Sequence, residues 1–578
     1  MPFSIALVLG LEAAAVAAVA ATTVRLPVTS DVGLVAALPV AYWLGVLGLN
    51  VAFLMVLRSG LHHRSRSFEL AVLLSALVFV LNGAGALASG SARGEAAFRH
   101  AGITDALIST GQINPEVDAY FSWPGFFAFL ATLSKATGID ALALTAWAPV
   151  VNALLWLPAL ALVARALTPT SRARWLALWL FCLGNWIDQD YLSPQAFGFL
   201  LYLAVIGLLL GQLSSSAGRP AGWRWRRLQA WWQQRRPEGP GSPAQRRAVL
   251  LLCVLLAGAI IASHQLTPFM LIVSVAALVV IGRCWATGLP AAMALMLVIW
   301  LVFPASSYLV GHPPLADSGI GLAASTSLTG RVVGTPGHVV VVFVRIAVMA
   351  AIWLLAGAGA WLLHRRGRLD GRLVALAVAP FLVFPAQSYG GEILLRVALF
   401  SLPFTSVLAA EALLAPSPRM SRRRTVGVGL ACFLLALGTV TSRYGNARFD
   451  MFTAAETQAA QRLYQLAPPG GTLIAWAHPA LWQFRDYLDV KTVTVAKACG
   501  PAFQAAPCVA AVLAAGRHNP KGALVILTRS GESSLTTQGL AAPDQVRKLK
   551  VLLAAERGVQ LAYTNADARI YRIGEARG

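Results

Sequence analysis

Apolar stretches of about membrane-spanning length recur through this chain, at 4–22, 32–57, 68–87, 139–166, 174–187, 196–213, 248–264, 268–283, 291–310, 338–363, 372–387, 396–414 and 425–442. A bilayer core takes about 20 predominantly apolar residues of helix. Thirteen such stretches in series leave little room for a soluble fold, although the fifth and eleventh are short. Composition agrees: 57% of the 578 residues are hydrophobic and only 12% are charged, where a soluble chain carries about 25% charge. The expected fold class is a polytopic α-helical membrane protein with about 13 transmembrane helices.

The formal charge of +22 does not point to nucleic acid, because the arginines fall in short clusters between apolar segments. Arg58, Arg64 and Arg66 form one cluster, and Arg172 and Arg174 the next. The run Arg219–Arg247 follows, then Arg365, Arg366 and Arg368, then Arg422, Arg423 and Arg424. With thirteen segments these clusters occupy alternate loops, as the inside bias for Lys and Arg requires. The N-terminus is then cytoplasmic and the C-terminus extracytoplasmic. Trp223, Trp225, Trp231 and Trp232 interleave with the arginines of the third cluster, a mixture suited to an interfacial helix on anionic membrane lipid.

After residue 442 the pattern changes. Thr472–Trp476, Thr492–Val495 and Ala523–Thr528 read as buried strands, and Val559–Tyr563 with Ala568–Ile573 as a hairpin around 565–567. Helical runs are expected near 453–467, 479–488, 507–516 and 541–557. The organisation is N-terminal transmembrane helices over 1–67, a transmembrane core over 68–442 with an external loop at 88–138, and an extracytoplasmic α/β domain over 443–578. No phosphate-binding glycine motif, nucleophile elbow or metal-spaced Cys/His set occurs in that domain. Cys499 and Cys508 lie in it, and outside the cytoplasm they could form a disulfide.

Acids are scarce, and on this topology they gather outside. Glu95, Asp105, Glu116 and Asp118 lie in the first long polar stretch, RGEAAFRHAGITDALISTGQINPEVDAYFSW. Asp188 and Asp190 lie in the tight NWIDQDYLSPQAF loop, His264 in SHQLTPF, Glu392 and Arg396 in SYGGEILLR, and Arg345 inside an apolar segment. Ionisable groups at membrane depth are costly, so several converging at outer helix ends suggest a site. Asp188 and Asp190, spaced i, i+2, suit a hard divalent cation such as Mg²⁺ or Mn²⁺. The bland readings are turn-forming aspartates, a helix-end histidine, an i, i+4 ion pair between Glu392 and Arg396, and solvated loop acids.

These stretches resemble the GT-C superfamily of integral-membrane glycosyltransferases. There a membrane helix leads to a long external loop with two juxtamembrane helices and a catalytic acid near its start, followed by an aromatic-Pro stretch. Glu95, AAFRHAGITDALISTG and YFSWPGFF match that order, and Asp188-Gln189-Asp190 falls where a D-x-D motif is often found. Two departures are the Glu in place of the commoner Asp and the two extra leading helices. The resemblance implies a GT-C-like core and transfer of a sugar from a polyprenyl-phosphate donor to a cell-envelope glycan, lipid or protein acceptor, with inversion. It implies Glu95 as the base, or Asp105 or Asp118 if the register differs. Arg396, Arg345 and His264 would hold the donor phosphate, and Asp188 and Asp190 the cation. A polysaccharide polymerase and a non-enzymatic lipid-linked glycan flippase are the alternatives. The acids at helix ends and the lack of internal repeats favour an enzyme.

Overall fold

The computed structural model describes residues 4–59, 64–216, 236–237, 242–311, 332–385, 391–414, 420–500 and 503–574. Each of the thirteen apolar segments contains a helix, although 291–310 breaks after Val302 and 372–387 passes into a 3-10 turn after Val378. Nine of the described helices are long and apolar enough to cross a membrane: α1 (Ile5–Thr22), α2 (Val40–Arg58), α3 (Arg64–Ser89), α6 (Ala148–Leu167), α8 (Pro194–Gln212), α9 (Pro243–Ser263), α12 (Pro336–Arg365), α14 (Ile393–Leu414) and α15 (Arg422–Tyr444). Between them, α7 (Ser171–Gly184), α10 (Thr267–Val280), α11 (Leu289–Val302) and α13 (Gly371–Val378) are shorter. Two expected segments begin later than hydropathy suggests. The second starts at Val40, behind Pro39, and the fourth at Ala148, because 139–147 holds only a short turn at Ala141–Leu144. The Trp/Arg run lies outside the described residues from 217 to 235.

Small residues set the closest helix contacts. A Cβ on Gly45 would come within 2.5 Å of the Ala13 carbonyl oxygen, so α1 and α2 meet backbone to backbone. Such close approach suits helix pairing in a lipid environment. Helix α14 is buried along most of its length. It packs between α12 and α7, with Phe400 against Phe199 and Tyr202 of α8.

The polar stretch between α3 and α6 carries two helices, α4 (Glu95–Thr110) and α5 (Gly125–Thr137), each closed by a left-handed glycine, Gly111 and Gly138. The C-terminal unit is a five-stranded sheet of β1 (Thr472–Ala475), β2 (Lys491–Thr494), β3 (Ala523–Thr528), β4 (Val559–Thr564) and β5 (Ala568–Ile573), in the order β2-β1-β3-β5-β4. β1 runs parallel to β2 and β3, and β5 antiparallel to β3 and β4. Helices α16 (Ala454–Leu466), α17 (Ala505–Arg517), α18 (Arg529–Thr537) and α19 (Pro543–Ala555) complete it.

One expected helix is absent. Residues 479–488 are irregular, with positive φ at Gln483 and Asp486. This segment docks on α4 instead: a Cβ on Gly102 would meet the Gln483 carbonyl oxygen at 1.9 Å. Phe98 of α4 packs on Phe452 and Phe484, so the sheet unit and the polar stretch between α3 and α6 share one apolar core. Cys499 and Cys508 form a disulfide.

Candidate active site

The tight loop between α7 and α8 is the centre of the site. Ser193 caps α8 by accepting the Ala196 N–H, with Pro194 at the first helical position. Asn152 of α6 donates to the carbonyls of Asp190 and Tyr191. Held at both ends, the loop puts Asp188 at φ +61°, a left-handed conformation that costs an L residue about 1–2 kcal/mol and is least unfavourable for Asn and Asp.

Two arginines meet the loop's carboxylates. Arg443, in the last turn of α15, donates to Asp190 Oδ1 at 2.7 Å and Oδ2 at 3.0 Å, and reaches Asp188 Oδ1 at 3.1 Å. Asn82 of α3 adds a bond to Asp190 at 2.5 Å. Arg93 donates through Nη2 to Asp188 Oδ2 at 2.5 Å and Asp450 Oδ2 at 3.3 Å, over the ring of Tyr444. Its Nε and Nη1 are buried and meet no partner among the described residues. Burial pushes the carboxyls of Asp190 and Asp450 up; Arg443 pulls the first back and Arg93 the second. Burial works to lower Arg93, but Asp188 and Asp450 outweigh it and hold the guanidinium above its ordinary value.

Two cavities meet at this network. One, of about 600 Å³, is walled by Tyr120, Tyr191, Gln195, His264 and Arg396 among others. The second, of about 410 Å³, has an apolar wall of Val342, Ile346, Met349, Leu394 and Leu395. Arg93, Asp188, Gln189, Glu392 and Arg443 line both. A polar chamber and an apolar groove with a charged junction can take a hydrophilic molecule and a lipid-linked anion side by side.

The predicted site residues divide. Asp188, His264 and Arg396 line the polar chamber, and Arg345 lines the groove, where its Nε donates to the Ser442 carbonyl at 2.9 Å. His264 Nδ1 accepts from the Thr267 N–H at 3.2 Å, and Arg396 pairs with Glu392 at 2.6 Å. Asp190 stands behind the wall. Glu95 lines neither cavity. Its carboxylate accepts the Ala480 N–H at 2.8 Å and bonds His478 at 2.9 Å, so it ties α4 to the sheet unit. Asp105 is exposed. Asp118 is buried under Arg99 and the Tyr487 hydroxyl, and caps the turn at Tyr120. Glu95 lines a third, smaller cavity with Arg99, His478 and Trp482, which adjoins the polar chamber at Ala96, His100 and Tyr120.

The aspartate pair does not fit a cation. Both oxygens of both carboxylates already take guanidinium or amide donors, and a hard cation needs several free oxygens. Among the described residues no group of three or more His, Cys, Asp or Glu could hold a metal. Arg93, Arg443, Asp450 and His100 were not singled out from the sequence as site residues. Arg443 carried a signal: an arginine at the end of an apolar segment expected to face outward runs against the inside bias.

In architecture the chain is a multi-helix bundle with two juxtamembrane helices in a long loop and a small α/β unit behind the last span, as the GT-C resemblance implies. No protein-family model matches it, and no curated protein matches its sequence. Among solved structures, it is similar to the oligosaccharyltransferase of Archaeoglobus fulgidus tethered to an acceptor peptide. The identity is 12% over 88% of this chain and 74% of that one, with a TM-score of 0.49. It is also similar to ArnT of Cupriavidus metallidurans bound to undecaprenyl phosphate, at 13% identity over 87% and 98% of the two chains and a TM-score of 0.48. The mycobacterial arabinofuranosyltransferase AftD is similar at 15% identity over 89% of this chain and 42% of that one, with a TM-score of 0.46.

Proposed function

We propose that the protein is an inverting membrane glycosyltransferase that moves a sugar from a polyprenyl-phosphate donor to a hydroxyl of a cell-envelope acceptor on the outer face of the membrane. The observation that carries this reading is the shared wall: Asp188 and Arg93 stand between a polar chamber and an apolar groove. The groove takes the first units of the lipid, and the chamber takes the acceptor. The Cys499–Cys508 disulfide supports an oxidising compartment for the sheet unit.

The reaction needs two things from the chain. The acceptor oxygen attacks the anomeric carbon as the bond to the phosphate oxygen breaks, and the phosphate leaves with one more negative charge. Arg93, with two donors unspent, and Arg345 across the groove face that charge, and a preorganised donor there lowers the barrier most. The acceptor's proton goes to a carboxylate. Asp188 takes that role because it lines both the chamber and the groove, whereas Glu95 lines only the smaller cavity that adjoins the chamber. Attack by the acceptor oxygen on the face opposite the departing phosphate oxygen gives inversion.

A cell-free assay tests the reading, with full-length protein in liposomes, a panel of radiolabelled polyprenyl-phosphate hexoses and pentoses, and membrane extracts as acceptor source. Transfer from one donor is expected, and its loss in Arg93→Ala. Vesicle-crossing of the label without transfer would establish a flippase instead. Processive lengthening of the product would establish a polymerase.

A further inference from the structure

His100 sits in α4 with no exposed surface. Its Nδ1 lies 2.7 Å from the Leu192 carbonyl, which can only accept, so Nδ1 carries the proton and Nε2 presents a lone pair. That Nε2 is buried and has no partner among the described residues. A buried acceptor left unmet is destabilising, so a partner is expected, and the ring lines the polar chamber. Burial lowers the imidazole to about 4, which keeps it neutral and accepting at physiological pH.

The chamber around it has a consistent chemistry. Ser91 Oγ, Gln189 Oε1 and both amide atoms of Gln195 are likewise buried without partners among the described residues, and all three residues line the chamber. The His100 ring stacks on Tyr191 and meets Tyr120 edge-on. Neutral donors and acceptors beside aromatic rings match a polyhydroxylated ring, whose hydroxyls both give and take hydrogen bonds and whose C–H faces pack on aromatics.

We infer that the polar chamber binds a carbohydrate acceptor, and that His100 Nε2 accepts a hydrogen bond from one of its hydroxyls. This rests on the transferase reading for the word acceptor, but the binding itself does not. His100 is a binding residue here, and Asp188 remains the proton acceptor.

The test uses the full chain in detergent and two substitutions. Asparagine at 100 places an amide near Nδ1 and can keep the bond to Leu192, but removes the Nε2 acceptor. Glutamine places its carbonyl near Nε2. Methyl α- and β-glycosides of glucose, galactose, mannose and arabinose are titrated calorimetrically. At least one glycoside should bind the wild type, His100→Asn should weaken it by about tenfold, and His100→Gln should restore most of the affinity. Unaltered thermal melting of both variants guards against a folding defect. Absence of binding by every glycoside, or equal binding by wild type and His100→Asn, overturns the inference and assigns Nε2 to an ordered water. If binding behaves as expected while no lipid-linked donor supports transfer, the carbohydrate chamber stands and the transferase reading falls. If transfer proceeds unchanged in His100→Asn, the transferase reading stands and this one falls.

Discussion

Asp188 and Asp190 are two residues apart and should give opposite phenotypes. Asp190 is fully buried and engages Arg443 through both oxygens, at 2.7 and 3.0 Å. At 2.7 Å and an effective dielectric of about 20 the attraction is roughly 6 kcal/mol, set against a desolvation cost of several kcal/mol. Neutralising one partner leaves the other charge buried, which typically costs about 3–5 kcal/mol. Asp188 still reaches Arg443 at 3.1 Å, so Asp190→Asn belongs at the low end, near 3 kcal/mol. Asp188, 36% exposed, is screened by solvent, so Asp188→Asn should cost at most about 1 kcal/mol of stability. Its turnover should fall about 10²–10⁴-fold, the effect of losing a general base. Thermal unfolding in detergent and the liposome transfer assay read the two quantities separately. A wild-type melting curve for Asp190→Asn would refute the buried-pair argument. Full turnover in Asp188→Asn would refute the base assignment. Equal shifts in Mg²⁺ or Mn²⁺ dependence for both variants would restore the metal reading of the pair.

Four further outcomes are expected. Replacing Cys499 and Cys508 by Ser should lower stability by about 2–3 kcal/mol, from the entropy of the short loop closed by a bond spanning 9 residues, measured by unfolding with and without reductant. The Glu95 carboxylate holds His478 above its ordinary value by a hydrogen bond. A raised histidine contributes stability that is full below the unfolded value of about 6.5 and is lost as pH rises through the folded value. His478→Ala should therefore destabilise the protein more at pH 5.5 than at pH 8.5, and a pH-independent difference in melting temperature would count against the pair. Met349→Trp should fill the apolar groove and raise KM for the lipid-linked donor without a matching loss of stability; unchanged KM would separate the groove from the lipid. In intact cells a cysteine introduced at Asp544 should react with an impermeant reagent and one at Ser242 should not, and the reverse pattern would invert the topology.

The bundle was legible because a single length rule identifies apolar helices, and even α7 and α13, short as they are, fall where hydropathy drops them. The long polar loop was legible from its acids and from the order of Glu95 and the aromatic-Pro stretch that follows it. The strands of the sheet unit showed as short apolar runs. The wiring of the site was not legible. Arg93 meets residues 95 and 357 positions away, and Arg443 meets Asp190 across 253. No local pattern states which arginine a given aspartate will find. Glu95 carried the expected spacing for a base, yet its carboxylate is taken by His478 and Ala480, nearly four hundred residues on. The run 479–488 looked helical because its apolar residues recur, but they pack on α4 from an irregular backbone instead.

The Arg93 pairing explains how one site can hold a cation ready for an anion. A guanidinium buried alone would be costly, yet one with every donor spent could not receive a phosphate. Arg93 avoids both outcomes: Nη2 is shared between Asp188 and Asp450, while Nε and Nη1 stay open. On the proposed reading, the donor phosphate meets Nε and Nη1 while Nη2 keeps its bonds to Asp188 and Asp450, so the clamp receives the leaving group without giving up the pairs that hold it in place. The proton acceptor and the leaving-group clamp are coupled through one side chain, which is a physical reason for both to stand on the wall that the two cavities share.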